Sequence, residues 1–183
     1  IELRRAVCDW SDVDDLQKTL HSKLDQFVAP VHPYSLLITE DAPEKILRAA
    51  ESWANKLHQR HSRPPVGKNS KASNRLRIGY FSSDLNSHAV GHLTASLFAL
   101  HNQDKFEIYA FDIGPDSTDA LSQRIRQAVE HHVSARDMSD HAIRDICLER
   151  DIHIAVDLNG YTKGARTGLF ASRLAPIQIN YLG

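Results

Sequence analysis

From residue 76 onward, short apolar runs rich in β-branched and aromatic residues alternate with segments of helical apolar spacing. This alternation constrains the fold more than any other feature of the chain. Residues 76–81, 106–113, 152–158 and 177–182 read as strands, with a brief further strand near 132–134. Residues 89–100, 118–129, 140–150 and 165–172 read as helices, the second of them capped by Ser117. Strands separated by helices need crossover connections, which lay neighbouring strands parallel and cover both faces of the sheet. The pattern therefore predicts an α/β domain with a Rossmann-like, doubly wound parallel sheet.

The residues before this pattern read differently. Ser11 and Asp12 are placed to cap a helix carrying Val13, Leu16, Leu20, Leu24, Phe27 and Val28 on one face. Pro30 and Pro33 break it, because proline lacks an N–H and restricts its predecessor. A second helix is expected over 43–58, with Pro43 in its first turn. Residues 62–74 carry prolines, serines, lysines and a glycine without apolar periodicity, which predicts a linker. Three segments follow: a helical region at 1–61, the linker at 62–74, and the α/β domain at 75–183. Trp10 and Trp53 are expected as packing anchors of the helical region.

Composition removes several function classes. Net charge is −1 with the histidines neutral, so nothing draws the chain as a whole to nucleic acid or acidic membranes. No apolar run approaches the roughly 18 residues a membrane helix needs. Cys8 and Cys147 stand far apart and outside any metal-ligand spacing, which argues against structural zinc and a disulfide framework. A reducing, cytoplasmic setting is expected. Both termini read as cuts in a longer protein.

In an open parallel sheet, ligands bind beyond the carboxyl ends of the strands. Three loops leave that edge: 82–88, 114–116 and 159–164. The first and third are dense in groups that donate, accept or move protons. His88 in the first can act as base or donor near neutral pH, or can simply cap a helix. His92 lies four residues on; a zinc site there lacks a third ligand, so a role at the helix start is the expectation. Asp157 alternates against Val156 and Leu158, which points it at a polar pocket or a loop amide. Tyr161, Thr162 and Lys163 sit in a polar turn before a helix, without the spacing of a phosphate-binding P-loop. Asp145 reads as part of a solvated helix face, as do Arg124 and Arg126. His131 and His132 read as a helix end.

Several of these stretches resemble one family. Leu76-Arg77-Ile78-Gly79-Tyr80-Phe81-Ser82-Ser83-Asp84 with His88 and His92-Leu93 resembles the start of the catalytic region of O-GlcNAc transferases. So do Val156-Asp157-Leu158-Asn159-Gly160-Tyr161-Thr162-Lys163-Gly164-Ala165-Arg166 and the run Phe170 to Gln178. Upstream, Val7 to Asp12 and Val31-His32-Pro33 look like that family's junction between tetratricopeptide helices and catalytic lobes. Two departures stand out: Leu174 replaces a frequent proline, and the loop before His88 reads Leu85-Asn86-Ser87.

The resemblance implies the first lobe of a two-lobed GT-B glycosyltransferase, preceded by the end of a tetratricopeptide superhelix. The implied enzyme moves N-acetylglucosamine from UDP-GlcNAc to serine or threonine hydroxyls of acceptor proteins, inverting the anomeric centre without metal or other cofactor. The second lobe, which holds most of the nucleotide, is not among these residues, so the fragment alone is expected to be inactive. The resemblance places His88 in the active site, aligns Asp145 with an acidic residue considered in proton transfer, and sets Tyr161, Thr162 and Lys163 along the cleft. His92 and Asp157 complete the candidate substrate contacts. A protein O-fucosyltransferase using GDP-fucose and a non-catalytic tetratricopeptide scaffold are the rival readings.

Overall fold

The computed structural model describes residues 1–26, 31–61, 63–64 and 74–182. The chain forms two compact units, Ile1–Arg60 and His61–Gly183. The first contains helices α1 (Glu2–Ala6), α2 (Val13–Asp25), α3 (Pro33–Leu36) and most of α4 (Pro43–His61). Its core is Leu24, Leu36 and Ala49, with Leu20, Val31 and Ile46 packed against it.

The second unit carries β1 (Leu76–Ser82), α5 (Ala89–Leu100), β2 (Phe106–Asp112), α6 (Ala120–Ala128) and β3 (His131–Ser134). It continues with α7 (Asp140–Glu149), β4 (Ile154–Asp157), α8 (Thr167–Ala171) and β5 (Ile177–Asn180). The five strands form one sheet in the order β3-β2-β1-β4-β5, and every neighbouring pair is parallel. The α/β reading of the sequence holds.

Strand alternation divides the core between the two faces. Ile78 and Tyr80 of β1 pack with Ala95 and Phe98 of α5 and Ile125 of α6. Phe81 points the other way and packs with Phe111, Ile143 and Cys147 of α7 and Leu169 of α8. The Phe81 and Phe111 rings stack at 4.4 Å, and Phe170 meets Phe81 edge-on at 5.5 Å. Burying such a ring fully contributes about 2–3 kcal/mol. Handedness explains the division. Right-handed crossovers along β1, β2 and β3 put α5 and α6 on one face; the return to β4, beyond β1, reverses direction and puts α7 and α8 on the other. The reversal opens the crevice between the carboxyl ends of β1 and β4.

Several expectations need correction. Helix α6 starts at Ala120 with Asp119 as its cap, because the Asp119 carboxylate accepts the Ser122 N–H at 2.8 Å, while Ser117 instead donates to Asp119. The brief strand expected near 132–134 is β3, which also takes in His131, so His131 and His132 pair with Tyr109 and Ala110 rather than ending a helix. The Tyr109 ring stacks on His131 at 4.1 Å across this strand pair. Trp10 is 64% exposed and is not the packing anchor expected among the described residues. Trp53 is half-buried, 5.0 Å from the His32 ring. Asp12 sits at the start of α2 in left-handed geometry with no side-chain cap bond. The Pro33 break begins the short helix α3. Phe27, Val28 and Pro30 lie outside the described residues, as does the predicted linker apart from residues 63, 64 and 74. Among the described residues, no helix is long and apolar enough to cross a membrane.

Candidate active site

Three strands end on the same local device. Ser82 Oγ accepts the Asp84 N–H at 3.0 Å; Asp112 Oδ1 accepts the Gly114 N–H at 3.2 Å; Asp157 Oδ1 accepts the Asn159 and Gly160 N–H groups at 2.9 and 3.1 Å. A short polar side chain that bonds two residues ahead turns the chain sharply. Each loop therefore leaves its strand at once and stays at the sheet edge. Burial raises the Asp157 carboxyl above its ordinary value, against the two N–H bonds that oppose it. Of the two roles open to Asp157, the structure gives it the loop-amide one.

Asn159 joins the loops. Its side chain is 1% exposed. Oδ1 accepts the Ser83 N–H at 2.8 Å, and Nδ2 donates to Asp84 Oδ2 at 2.7 Å and to Ser83 Oγ at 3.0 Å. Ser83 Oγ in turn lies 3.4 Å from the Lys163 carbonyl oxygen. The loop after β2 presses on the same residue. A Cβ on Gly114 would stand 1.9 Å from the Ser83 carbonyl oxygen, so only glycine fits. All three loops that the sequence placed at the carboxyl edge thus meet at Ser83.

His88 closes the first loop and begins α5. Its Nδ1 accepts the Val90 N–H at 3.3 Å, and its side chain is half exposed. An Nδ1 that accepts is unprotonated, so in the neutral ring the proton sits on Nε2. Asp84 Oδ2 lies 4.0 Å from the same Nδ1. Asp119 holds this loop from the α6 side, its Oδ2 accepting the Ser87 N–H at 2.9 Å. The Ser117 hydroxyl, then the Ser122 and Ser87 N–H groups, keep the Asp119 carboxyl down at about 2.

The other candidates occupy distinct places. Thr162 turns its hydroxyl inward, donating to the Asn159 carbonyl oxygen at 2.8 Å. Lys163 is exposed and Tyr161 half-buried. His92 is exposed one turn along α5, its N–H bonded to the His88 carbonyl oxygen at 3.0 Å. Asp145 is half exposed on α7, 3.9 Å from His141. It lies on the opposite face of the sheet from α5, so the fold brings Tyr161, Thr162 and Lys163 to the His88 loop but not Asp145. No group of three or more His, Cys, Asp and Glu side chains among the described residues is placed to hold a metal ion.

Sequence reasoning missed Asn159, Asp84 and Asp119 as residues that build the site. It also missed Arg166, which fixes the far end of the third loop. The Arg166 guanidinium donates to the Ala135 and Met138 carbonyl oxygens at 3.1 and 2.8 Å and is paired with Asp140. One signal was available: a Ser or Asp ending a strand, two residues before the next polar or glycine position, occurs three times.

Comparison with known proteins gives consistent results. The model for glycosyl transferase family 41 matches residues 7–183. A protein of Arabidopsis thaliana described as "Probable UDP-N-acetylglucosamine--peptide N-acetylglucosaminyltransferase SEC" is 31% identical, covering 98% of this chain and 20% of its own length. The UDP-N-acetylglucosamine--peptide N-acetylglucosaminyltransferase of Caenorhabditis elegans is also 31% identical, over 97% of this chain and 17% of its own. A lysine-to-methionine variant of the Thermobaculum terrenum O-GlcNAc transferase shares the fold with a TM-score of 0.75 at 27% identity, covering 82% of this chain and 29% of that one. The chain thus spans about a fifth of the length of these curated relatives.

Proposed function

Because the chain belongs to glycosyl transferase family 41, we propose that it supplies the first catalytic lobe of an inverting protein glycosyltransferase. The enzyme moves N-acetylglucosamine from UDP-GlcNAc to serine and threonine hydroxyls of acceptor proteins. A second lobe of the same protein completes the cleft and holds most of the nucleotide. The reaction needs no metal and takes place in the cytoplasm. The observation that carries this reading is the convergence of three loops on Ser83, beside His88, at the point where the strand order reverses. The two relatives at 31% identity, both named for UDP-N-acetylglucosamine, support this donor over GDP-fucose.

In an inverting transfer the acceptor oxygen forms its bond to the anomeric carbon as the bond to the UDP oxygen breaks. UDP leaves with the electron pair, and the hydroxyl proton must go to a base. With Nδ1 capping Val90, His88 offers Nε2–H, a donor that orients a substrate oxygen. In that geometry a phosphate oxygen of the donor takes the hydroxyl proton. For His88 to take it, the ring proton must first move to Nδ1. The cation that neutralises the leaving diphosphate belongs to the second lobe, and Lys163, exposed on the third loop, lines the cleft between the lobes. Tyr161 and Thr162 line the same cleft, and His92 is a further candidate substrate contact. Asp145 enters through the resemblance alone.

The test is transfer of labelled sugar from UDP-GlcNAc to a serine- and threonine-rich protein pool. The full-length protein is assayed beside His88→Ala and Asp145→Asn. Transfer that falls about a hundredfold or more in His88→Ala supports the reading, since general acid–base groups contribute on this scale. Transfer from GDP-fucose but not UDP-GlcNAc sinks it in favour of the fucose reading, and no transfer from either donor favours a scaffold.

A further inference from the structure

His88 Nδ1 stands between two groups that require opposite things of it. The Val90 N–H, 3.3 Å away, needs a bare nitrogen. The Asp84 carboxylate, 4.0 Å away, attracts a protonated one. One ring nitrogen serves only one of them at a time, and the choice sets the other nitrogen. With Nδ1 bare, the neutral ring donates from Nε2; with Nδ1 protonated, Nε2 offers a lone pair.

Asp84 is the fixed member of this arrangement. Its Oδ2 takes the 2.7 Å hydrogen bond from Asn159 Nδ2, and its own N–H is bonded to Ser82 Oγ. The loop is pressed onto α5: a Cβ on Gly91 would stand 2.1 Å from the Asn86 carbonyl oxygen and 3.1 Å from that of Asp84. Half exposed, the His88 ring is the part that can turn. The other ionisable groups at this loop are Asp119, whose carboxylate is engaged by Ser87, Ser117 and Ser122, and the exposed His92.

We propose that Asp84 is a positioning residue that sets the tautomer of His88 by competing with the Val90 amide for Nδ1. A ring rotation that brings Nδ1 to Asp84, with the Nε2 proton released to water and one taken up from water at Nδ1, converts Nε2 from donor to acceptor. The acceptor hydroxyl then loses its proton to Nε2 as its oxygen bonds to the sugar, and the resulting imidazolium faces the Asp84 carboxylate. This step rests on the glycosyl-transfer reading; the competition for Nδ1 does not.

The experiment records ring nitrogen resonances of histidine-labelled full-length protein, with His88 assigned by its loss in His88→Gln. The wild-type ring is expected to report an average of both tautomers. Asp84→Asn keeps an oxygen for Asn159 but removes the charge. It is expected to move the ring toward Nε2–H and to lower kcat about tenfold, with KM for UDP-GlcNAc within about twofold. Val90→Pro removes the competing N–H at a first-turn position that tolerates proline, and is expected to move the ring toward Nδ1–H. Opposite shifts from the two variants are an outcome that a merely structural role for Asp84 does not produce. A ring unmoved by both overturns the proposal whatever the activity. If Asp84→Asn fails to fold, Val90→Pro decides alone: a shift toward Nδ1–H supports the competition, and none overturns it. A wild-type protein inactive with UDP-GlcNAc overturns the glycosyl-transfer reading and leaves the resonances to judge Asp84.

Discussion

Asn159 Oδ1 accepts the Ser83 N–H at 2.8 Å across 76 residues of sequence, joining the ends of β1 and β4. The same amide donates to Asp84 Oδ2. Asn159→Ala leaves the buried Ser83 N–H without its acceptor, and is expected to cost about 3 kcal/mol. Asn159→Asp is expected to cost more, because it sets a second carboxylate against Asp84 and removes the donor. Thermal unfolding of the full-length protein and both variants checks the order. An Asp variant as stable as wild type contradicts the bridge.

Gly114→Ala puts a methyl group into the Ser83 backbone, where no flexible side chain can yield. Overpacking against backbone is expected to cost about 3 kcal/mol and to displace the loop that carries His88. Stability and sugar transfer should fall together. Gly114→Ala with wild-type values in both assays is incompatible with the close approach.

Asp119 supplies a pH-dependent contribution. Its carboxyl lies at about 2 in the fold, below the ordinary value of 3.8. A depressed carboxyl stabilises the fold fully above the unfolded-state value and loses that contribution as pH falls through the folded one. The window is therefore about pH 4 down to 2. Asp119→Asn is expected to flatten the acid side of the stability profile in that window, measured as unfolding midpoint against pH. An unchanged slope contradicts the capping role.

The two cysteines should differ sharply toward alkylating agents. Cys8 is exposed, whereas Cys147 is 1% exposed and burial pushes its thiol up to about 12. The thiolate is the reactive form, so the native protein is expected to label at Cys8 and spare Cys147 until unfolded. Peptide mass spectrometry after brief iodoacetamide treatment gives the answer, and early modification of Cys147 would mean that the α7 side of the core opens readily.

Element type was legible because it depends on local periodicity. The apolar runs around Ile78, Ile108 and Val156 mark strands, and the helical spacing through Ile143 and Cys147 marks α7. His131 was misread because the short stretch after α6 carries no periodic signal; stacking on Tyr109 and the ladder to β2 decide that His131 joins the strand. The α6 cap was misplaced by two residues because Ser117 and Asp119 are both capping types. In the fold Asp119 caps through Oδ1 while its Oδ2 accepts the Ser87 N–H from another loop, a contact no local pattern announces.

The sequence by itself determined the class of fold, the edge of the sheet where reactive loops gather, and the motifs that tie the chain to its family. Those properties follow from residue type, spacing and the handedness of crossovers, all encoded locally. Only the tertiary structure decided that β4 lies beside β1, that Asn159 closes on Ser83 and Asp84, and that Asp145 stands on the other face from His88. Those outcomes depend on strand order and on single hydrogen bonds between distant residues. Such bonds leave no period in the sequence to be read.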